Sequence, residues 1–116
     1  MAATSAQTPA RARIVFLVRV PEEDVERFLT AYERIRYQVA GGVAGHVLDQ
    51  VCQSTTDPEQ WLITSEWESL DHFVAWEQSP GHRELAGPMR ACMTEARSIK
   101  FEIREETSKT TDRLAG

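Results

Sequence analysis

A strand runs directly into a helix in the sequence WLITSEWESLDHFVAW, residues 61–76. Its first seven residues, Trp61–Trp67, are rich in the aromatic and β-branched side chains that are typical of strands. Ser69 then suits the N-cap position of a helix, because its hydroxyl can accept a hydrogen bond from a backbone N–H of the first turn. Leu70 and Phe73 follow at helical spacing. The stretch therefore predicts a strand and a short helix whose apolar side faces inward.

Two strands and a long helix are predicted before this stretch. Arg13–Val20 (RIVFLVRV) is a β-rich run that is apolar on both alternating faces, which is typical of a strand covered on both sides. The helix PEEDVERFLTAYERIRYQV begins at Pro21, has its acidic residues at the positive end of the helix dipole, and is predicted to end at Gly41–Gly42. A second strand, Gly45–Gln53, follows. The loop STTDPEQ predicts a hairpin between it and the third strand.

A second helical segment and a last strand follow the opening stretch. Ser79–Pro80 has the pattern of an N-cap followed by proline at the first helical position, so the second helix is broken there. Ser98–Arg104 alternates apolar and polar residues as a strand does. The order β-α-β-β-α-β predicts an α+β domain of the ferredoxin-like, split βαβ type. Helices would cover one face of its sheet, and the apolar second face predicts a homodimer packed sheet to sheet.

Length and composition predict a single globular domain of 116 residues. We expect a disordered N-terminal lead at residues 1–11, a folded domain at 12–104 and a loose polar tail at 105–116.

Charge and composition also narrow the function classes. The net charge of −5 argues against nucleic-acid binding, and no apolar run is long enough to span a membrane. No apolar signal core lies near the N-terminus, which predicts a cytoplasmic protein. Cys52 and Cys92 are expected to be reduced, partly buried thiols. The three histidines are scattered without other ligands at metal spacing, so no metal site is predicted.

His46 is the predicted general base. It begins the second strand, at a position where a strand end can meet a pocket, and the usual pKa of histidine lies near neutrality. The alternative is a histidine that faces solvent.

Polar residues on the strands are candidates for substrate binding. Asp49 and Gln50 need hydrogen-bond partners if they are buried, and these could lie across a dimer interface or on a substrate hydroxyl. Arg19 lies among apolar residues and needs a negative partner, which could be Glu66 or a substrate phenolate.

Three residues on the helices are further substrate-binding candidates. Tyr32 lies late in the first helix, where it could close one end of a pocket. His72 is expected to be exposed, with a place at the pocket edge as the alternative. Trp76 is expected either to pack in the core or dimer interface or to line the pocket.

The segment SEWESLDHFVAWEQSPGHREL, residues 65–85, resembles the antibiotic biosynthesis monooxygenase superfamily. The shared pattern is a strand that ends in WES, a helix with an aromatic residue and a tryptophan, and then SPxHR. With the strand order, the resemblance covers roughly residues 12–104 and implies a dimeric α+β barrel. Members of this superfamily include quinone-forming oxygenases, haem-degrading enzymes and polyketide cyclases.

The resemblance also implies roles for individual residues. Trp67 stands where members that oxidise anthrones keep a pocket tryptophan, which implies a wall or hydrogen-bond donor for a flat polyphenol; the alternative is a core tryptophan. Those members have an asparagine slightly earlier on the strand, but Leu62–Thr64 contains none. Haem-degrading members need a helix histidine where this chain has Ala86 and an asparagine on the first strand, which Arg13–Val20 lacks. Haem is therefore not expected.

The resemblance implies two oxidative reactions. The run VCQSTTDPEQWLITSEWESLDHF, residues 51–73, is similar to the subgroup found with angucycline pathways, whose members open rings with O2 and reduced flavin. The expected function is thus the oxidation of a polycyclic aromatic polyketide by O2 in antibiotic biosynthesis. It would proceed either without a cofactor or with FMNH2 or FADH2 from a flavin reductase. In the cofactor-free route, the Trp67 N–H and Gln50 are the predicted donors to the oxyanion.

Two other functions fit the same fold. One is a polyketide cyclase or isomerase, which needs acid and base groups but no O2. The other is a non-catalytic dimer that binds a hydrophobic small molecule.

Overall fold

The computed structural model describes residues 9–109, so most of the predicted N-terminal lead and residues 110–116 of the predicted tail lie outside the described residues. A short 3-10 turn, Glu22–Asp24, precedes the first helix. The strands are β1 (Ala12–Arg19), β2 (His46–Gln53), β3 (Gln60–Trp67) and β4 (Glu95–Glu102). The helices are α1 (Val25–Gly42), α2 (Leu70–Glu77) and α3 (Pro80–Arg90).

The four strands form one antiparallel sheet in the order β2-β3-β1-β4. The first strand lies inside the sheet and pairs along its whole length with β3 and β4. The predicted α+β, split βαβ arrangement is confirmed. The predicted starts of the two later helices are also confirmed, because Ser69 and Ser79 each accept a hydrogen bond from the backbone N–H three residues later. The first helix begins at Val25, after the 3-10 turn, and not at Pro21 as predicted.

The helices cover one face of the sheet and bury the core there. One cluster of buried residues includes Phe28, whose ring meets the edge of Trp61 at a centroid distance of 5.5 Å. A second cluster, around Ile14, Trp67 and Phe73, lies near the start of β1. Burial of these large apolar side chains supplies most of the stabilisation that a domain of this size obtains.

The opposite face of the sheet carries the alternate residues of each strand, and no helix within residues 9–109 lies over it. Val15 and Leu17 lie there, side by side with Thr64 and Leu62 of the neighbouring strand. Phe101, on the edge strand β4, is 50% exposed. We call this surface the open sheet face.

The predicted end of the first helix and both predicted ends of the last strand are wrong. The first helix includes Gly41 and Gly42, and the glycine with positive φ is Gly45, at +85°. Glycine lowers helix propensity, but it ends a helix only where the backbone turns left-handed. The last strand begins at Glu95 rather than Ser98 and ends at Glu102 rather than Arg104. Its start is earlier because backbone pairing with β1 continues as far as Arg19, and this pairing does not depend on the side chains of the edge strand.

Two further features concern the thiols and membrane insertion. Cys92 is buried and Cys52 is exposed, so the predicted partial burial of Cys52 is wrong. Cys52 projects from the open sheet face, opposite Leu62.

Within residues 9–109, no helix is long and apolar enough to cross a membrane.

Candidate active site

A cavity of about 130 Å³ lies between the sheet and the helices α2 and α3. The strands contribute to its wall the side chains of Ile14, Phe16, Ile63, Ser65 and Trp67. The helices contribute mainly Phe73, Trp76, Leu85, Ala86 and Met89. The wall is predominantly apolar and aromatic, which is the usual character of a small-molecule site.

Three polar side chains form a hydrogen-bonded chain at the buried end of the cavity. His46 Nε2 lies 2.7 Å from Asp49 Oδ2, and the Tyr32 hydroxyl donates to Asp49 Oδ1. A carboxylate can only accept, so Nε2 carries the shared proton, and in the neutral imidazole the Nδ1 atom of His46 is then the acceptor. Burial, with the hydrogen bond to Asp49, raises the pKa of Tyr32 above its usual range, so the phenol stays a protonated donor.

This chain joins two separate elements. His46 and Asp49 are three residues apart on β2, where a bulge between His46 and Leu48 lets both side chains reach the helix-covered side. Tyr32 comes from α1, which packs against that end of the sheet. A carboxylate that holds one imidazole nitrogen fixes the ring and stabilises its protonated form, which is the arrangement that a general base requires.

Trp67 forms the wall beside His46. The two rings meet edge to face at 5.3 Å, and Phe73 meets the other side of the indole at 5.4 Å. The indole N–H donates to Ser65 Oγ at 2.9 Å. Trp67 is therefore both a buried core residue and a cavity wall. Its N–H already has a protein acceptor, which differs from the free donor expected from the sequence.

The open end of the cavity has polar side chains that were not among the site residues predicted from the sequence. Glu77, His82 and Arg90 lie there on α2 and α3, with Ser98 on β4. Trp76 also lines this end, and its ring meets the edge of His82 at 5.2 Å. The SPxHR motif could have predicted the position of His82, because Ser79 is the N-cap of α3 and places His82 in the first turn of this helix.

Burial lowers the pKa of His82, and the nearby positive charge of Arg90 lowers it further, while Glu77 opposes the shift. The unfolded chain therefore binds a proton at His82 more readily than the folded chain. We expect the free energy of unfolding to fall as the pH drops from about 6.5 toward the lower folded pKa, and the effect to level off below it. Urea unfolding of the parent and of His82→Gln at several pH values isolates this contribution. Parallel stability curves would contradict it.

Four predicted binding residues do not line the cavity: Gln50, His72, Arg19 and Tyr32. Gln50 is exposed on the open sheet face and lines only a shallow outer groove, so it does not reach the cavity as an oxyanion donor. His72 is half-buried rather than exposed; its Nδ1 lies 2.8 Å from Ser69 Oγ. His46 and Asp49 line both the cavity and the outer groove. Tyr32 lines only the outer groove and is connected to the cavity through its hydrogen bond to Asp49.

The predicted pairing of Arg19 with Glu66 is wrong. The antiparallel register places these residues at opposite ends of the sheet. Arg19 instead bonds to Asp57 at 3.0 Å and Glu59 at 3.4 Å, and Glu66 accepts from Arg13 at 3.0 Å. Arg19 therefore belongs to the β2–β3 hairpin region and not to the cavity. Across the described part of the chain, no group of three metal-ligating side chains comes together.

Comparison with known proteins identifies the family of this chain. Residues 11–87 match the family described as antibiotic biosynthesis monooxygenase. The chain belongs to this family. The crystal structure of SnoaB, a cofactor-independent oxygenase from Streptomyces nogalater, superposes with a TM-score of 0.74 at 18% identity, covering 86% of this chain and 99% of SnoaB. This likeness concerns the fold.

Sequence relatives of this family member occur in Streptomyces. The chain is 44% identical over 103 residues to the "42.8 kDa protein in whiE locus" of Streptomyces coelicolor, covering 89% of this chain and 26% of the relative. It is 38% identical over 112 residues to "Polyketide synthase CurD" of Streptomyces cyaneus, covering 97% of this chain and 30% of the relative. The chain thus spans less than a third of the length of these curated relatives.

Proposed function

We propose that the protein is an oxygenase that oxidises a polycyclic phenol or anthrone of aromatic polyketide origin with O2, without a bound cofactor. The observation that carries this proposal is the His46–Asp49–Tyr32 chain at the buried end of an aromatic cavity. Family membership and the name of one relative, "Polyketide synthase CurD", support the substrate class.

The proposed reaction begins with proton transfer. The flat rings of the substrate lie against Trp67 and Phe73, and the Nδ1 atom of His46 accepts the acidic proton. Asp49 stabilises the imidazolium that forms, and the Tyr32 hydroxyl keeps the carboxylate in place. The resulting carbanion is delocalised over the rings, which lowers the energy needed to ionise the substrate.

Oxidation then requires only O2. The substrate anion gives one electron to O2, and the substrate radical recombines with superoxide to form a C–O bond. The peroxide takes a proton from His46 and loses water, so that a CH2 group and O2 become a carbonyl group and H2O. The apolar wall keeps bulk water from the anion, and the fixed imidazole returns the proton that it removed.

Oxygen uptake by the purified protein tests this function. The substrates are an anthrone and a hydroxynaphthalene, each measured alone and with a flavin reductase, FMN and NADH. We expect uptake equal to product without flavin. Product formed only with reduced flavin would replace the cofactor-free reaction with the ring-opening type. Substrate consumed without O2 would favour a cyclase, and binding without turnover would favour a ligand-binding protein.

We further propose that the protein is a homodimer in which two open sheet faces pack together, with residues 12–104 as the folded unit. The uncovered face is apolar at its centre, at Val15, Leu17 and Leu62. An uncovered apolar sheet is unfavourable in water, and a second copy is the simplest cover because a two-fold axis makes the same surface complementary to itself.

Leu17→Glu is expected to convert this dimer into a monomer, because the substitution puts two charges into the apolar centre of the interface. Sedimentation velocity measures the change. Leu29→Glu is the matched control, since Leu29 is 38% exposed on α1, away from the open sheet face. A Leu17→Glu protein that still sediments as a dimer would place the interface elsewhere.

A further inference from the structure

Arg90 is the one lysine or arginine among the described residues that line the cavity. It is the last residue of α3, and its side chain is exposed at the cavity mouth. Its guanidinium carbon lies 5.9 Å from the centre of the Phe16 ring, which forms part of the cavity floor. Within residues 9–109, no carboxylate forms an ion pair with Arg90. The N–H donors of the guanidinium are therefore available to a ligand at the cavity entrance.

The other charges at the mouth leave a local positive field. Glu77 is the one acidic residue that residues 9–109 place at the mouth, and its Oε2 lies 3.6 Å from the Lys100 Nζ atom, which offsets its charge. His82 is half-buried beside Trp76, and the proximity of Arg90 disfavours its protonated form. The mouth thus presents one unpaired cation above an apolar wall, although the whole chain has a net charge of −5. A low-dielectric wall strengthens the attraction of such a cation for an anion.

The cavity therefore has two chemically different ends. The buried end has a proton acceptor, and the open end has a planar cation with paired donors. A guanidinium binds a carboxylate through two parallel hydrogen bonds, and its planar face packs on an aromatic ring at the same time. An arginine in the last turn of a helix also interacts favourably with the helix dipole. That interaction alone does not require the guanidinium to lie over Phe16 at the cavity mouth.

We propose that Arg90 binds a carboxylate carried by the aromatic substrate and so sets the orientation in which the rings enter the cavity. The inference rests on the proposed function, because it takes the aromatic cavity as the substrate site. In this orientation the carboxylate stays at the mouth, and the opposite edge of the ring system reaches His46. Arg90 is thus a specificity-determining residue, and substrates without the carboxylate bind more weakly.

Binding of a matched pair of probes tests this inference without turnover. The probes are a hydroxynaphthoate and the corresponding naphthol, titrated at neutral pH by calorimetry and by quenching of tryptophan fluorescence. We expect the naphthoate to bind about tenfold more tightly than the naphthol, which corresponds to one charge-assisted interaction at a partly exposed site. The difference should shrink at high salt, because salt screens an exposed ion pair.

Arg90→Gln is expected to remove the preference for the naphthoate over the naphthol, and Arg90→Lys should keep part of the preference. Arg83→Gln is the matched control, because Arg83 is exposed on the same helix and does not line the cavity. Equal affinities in the parent protein, or a preference that survives in Arg90→Gln, would overturn the role of Arg90 and leave the aromatic site intact. If neither probe binds the parent protein, the role of Arg90 and the proposed site both fail.

Discussion

Replacing His46 with asparagine is expected to lower the turnover number for anthrone oxidation by at least about 100-fold, the usual range for loss of a general base. Asparagine keeps a side chain that can hydrogen-bond Asp49, whose carboxylate lies 2.7 Å from the imidazole, but it cannot accept a proton at neutral pH. The loss should therefore appear in the turnover number, with little change in substrate affinity. Oxygen uptake and direct binding measure the two quantities separately.

Two further variants separate the base from the groups that hold it. Asp49→Asn should also lose most activity, because an amide cannot stabilise the imidazolium, and Tyr32→Phe should lose less, because only the support of Asp49 is removed. His72→Asn is the matched control. His72 does not line the cavity, and asparagine can keep a hydrogen bond with Ser69. Equal losses in His46→Asn and His72→Asn would mean that the histidines act only through stability.

Gly45→Ala is expected to destabilise the fold by about 3 kcal/mol. Gly45 has a φ of +85°, a conformation that costs an alanine about 1 kcal/mol. An added Cβ would also lie 2.2 Å from the His72 Cγ atom and 2.5 Å from its Cβ atom, so the helix α2 or the loop must shift, at a further cost of about 1–3 kcal/mol. The loop has little freedom to move, because the Gly45 carbonyl accepts a 2.7 Å hydrogen bond from the Glu68 N–H.

Urea unfolding measures this loss, and the chain provides an internal control. Gly41→Ala places a Cβ in α1 where no atom beyond its chain neighbours and the nearby helix backbone lies within 4 Å, and should stabilise the protein by up to about 1 kcal/mol. The double variant Gly45→Ala with His72→Gly should cost less than the sum of the two single changes, because the ring and the Cβ atom that meet the added methyl group are both absent. Additive costs would show that the two residues do not compete for the same space.

Much of the fold follows from local signals in the sequence. Ser69 and Ser79 were predictable as N-caps because a cap depends on the next three residues only. The strand that contains Trp67 was predictable because alternating and β-branched residues mark a pleated, half-buried surface. The start of the last strand was not, since its first residues are held by backbone pairing with β1 and carry no apolar pattern.

The candidate site was predictable only in part. His46 and Asp49 were chosen from the sequence, but separately, as a base and as a polar residue in need of a partner. Their contact depends on a bulge in β2, and the third member, Tyr32, reaches them from another element. Arg90 was missed because nothing near it in the chain differs from an ordinary helix end.

The sequence by itself determined which segments become strands and helices, where the two later helices begin, and that one sheet face is left uncovered. Only the tertiary structure decided which side chains meet. Arg19 bonds to Asp57 and not to Glu66 because antiparallel pairing sends the two ends of β1 in opposite directions. Gln50 and Asp49 are neighbours in the chain, yet successive strand residues point to opposite faces, so only Asp49 reaches the cavity. Caps and periodicity act over a few residues, whereas contacts between elements depend on register, which is fixed only when the whole sheet assembles.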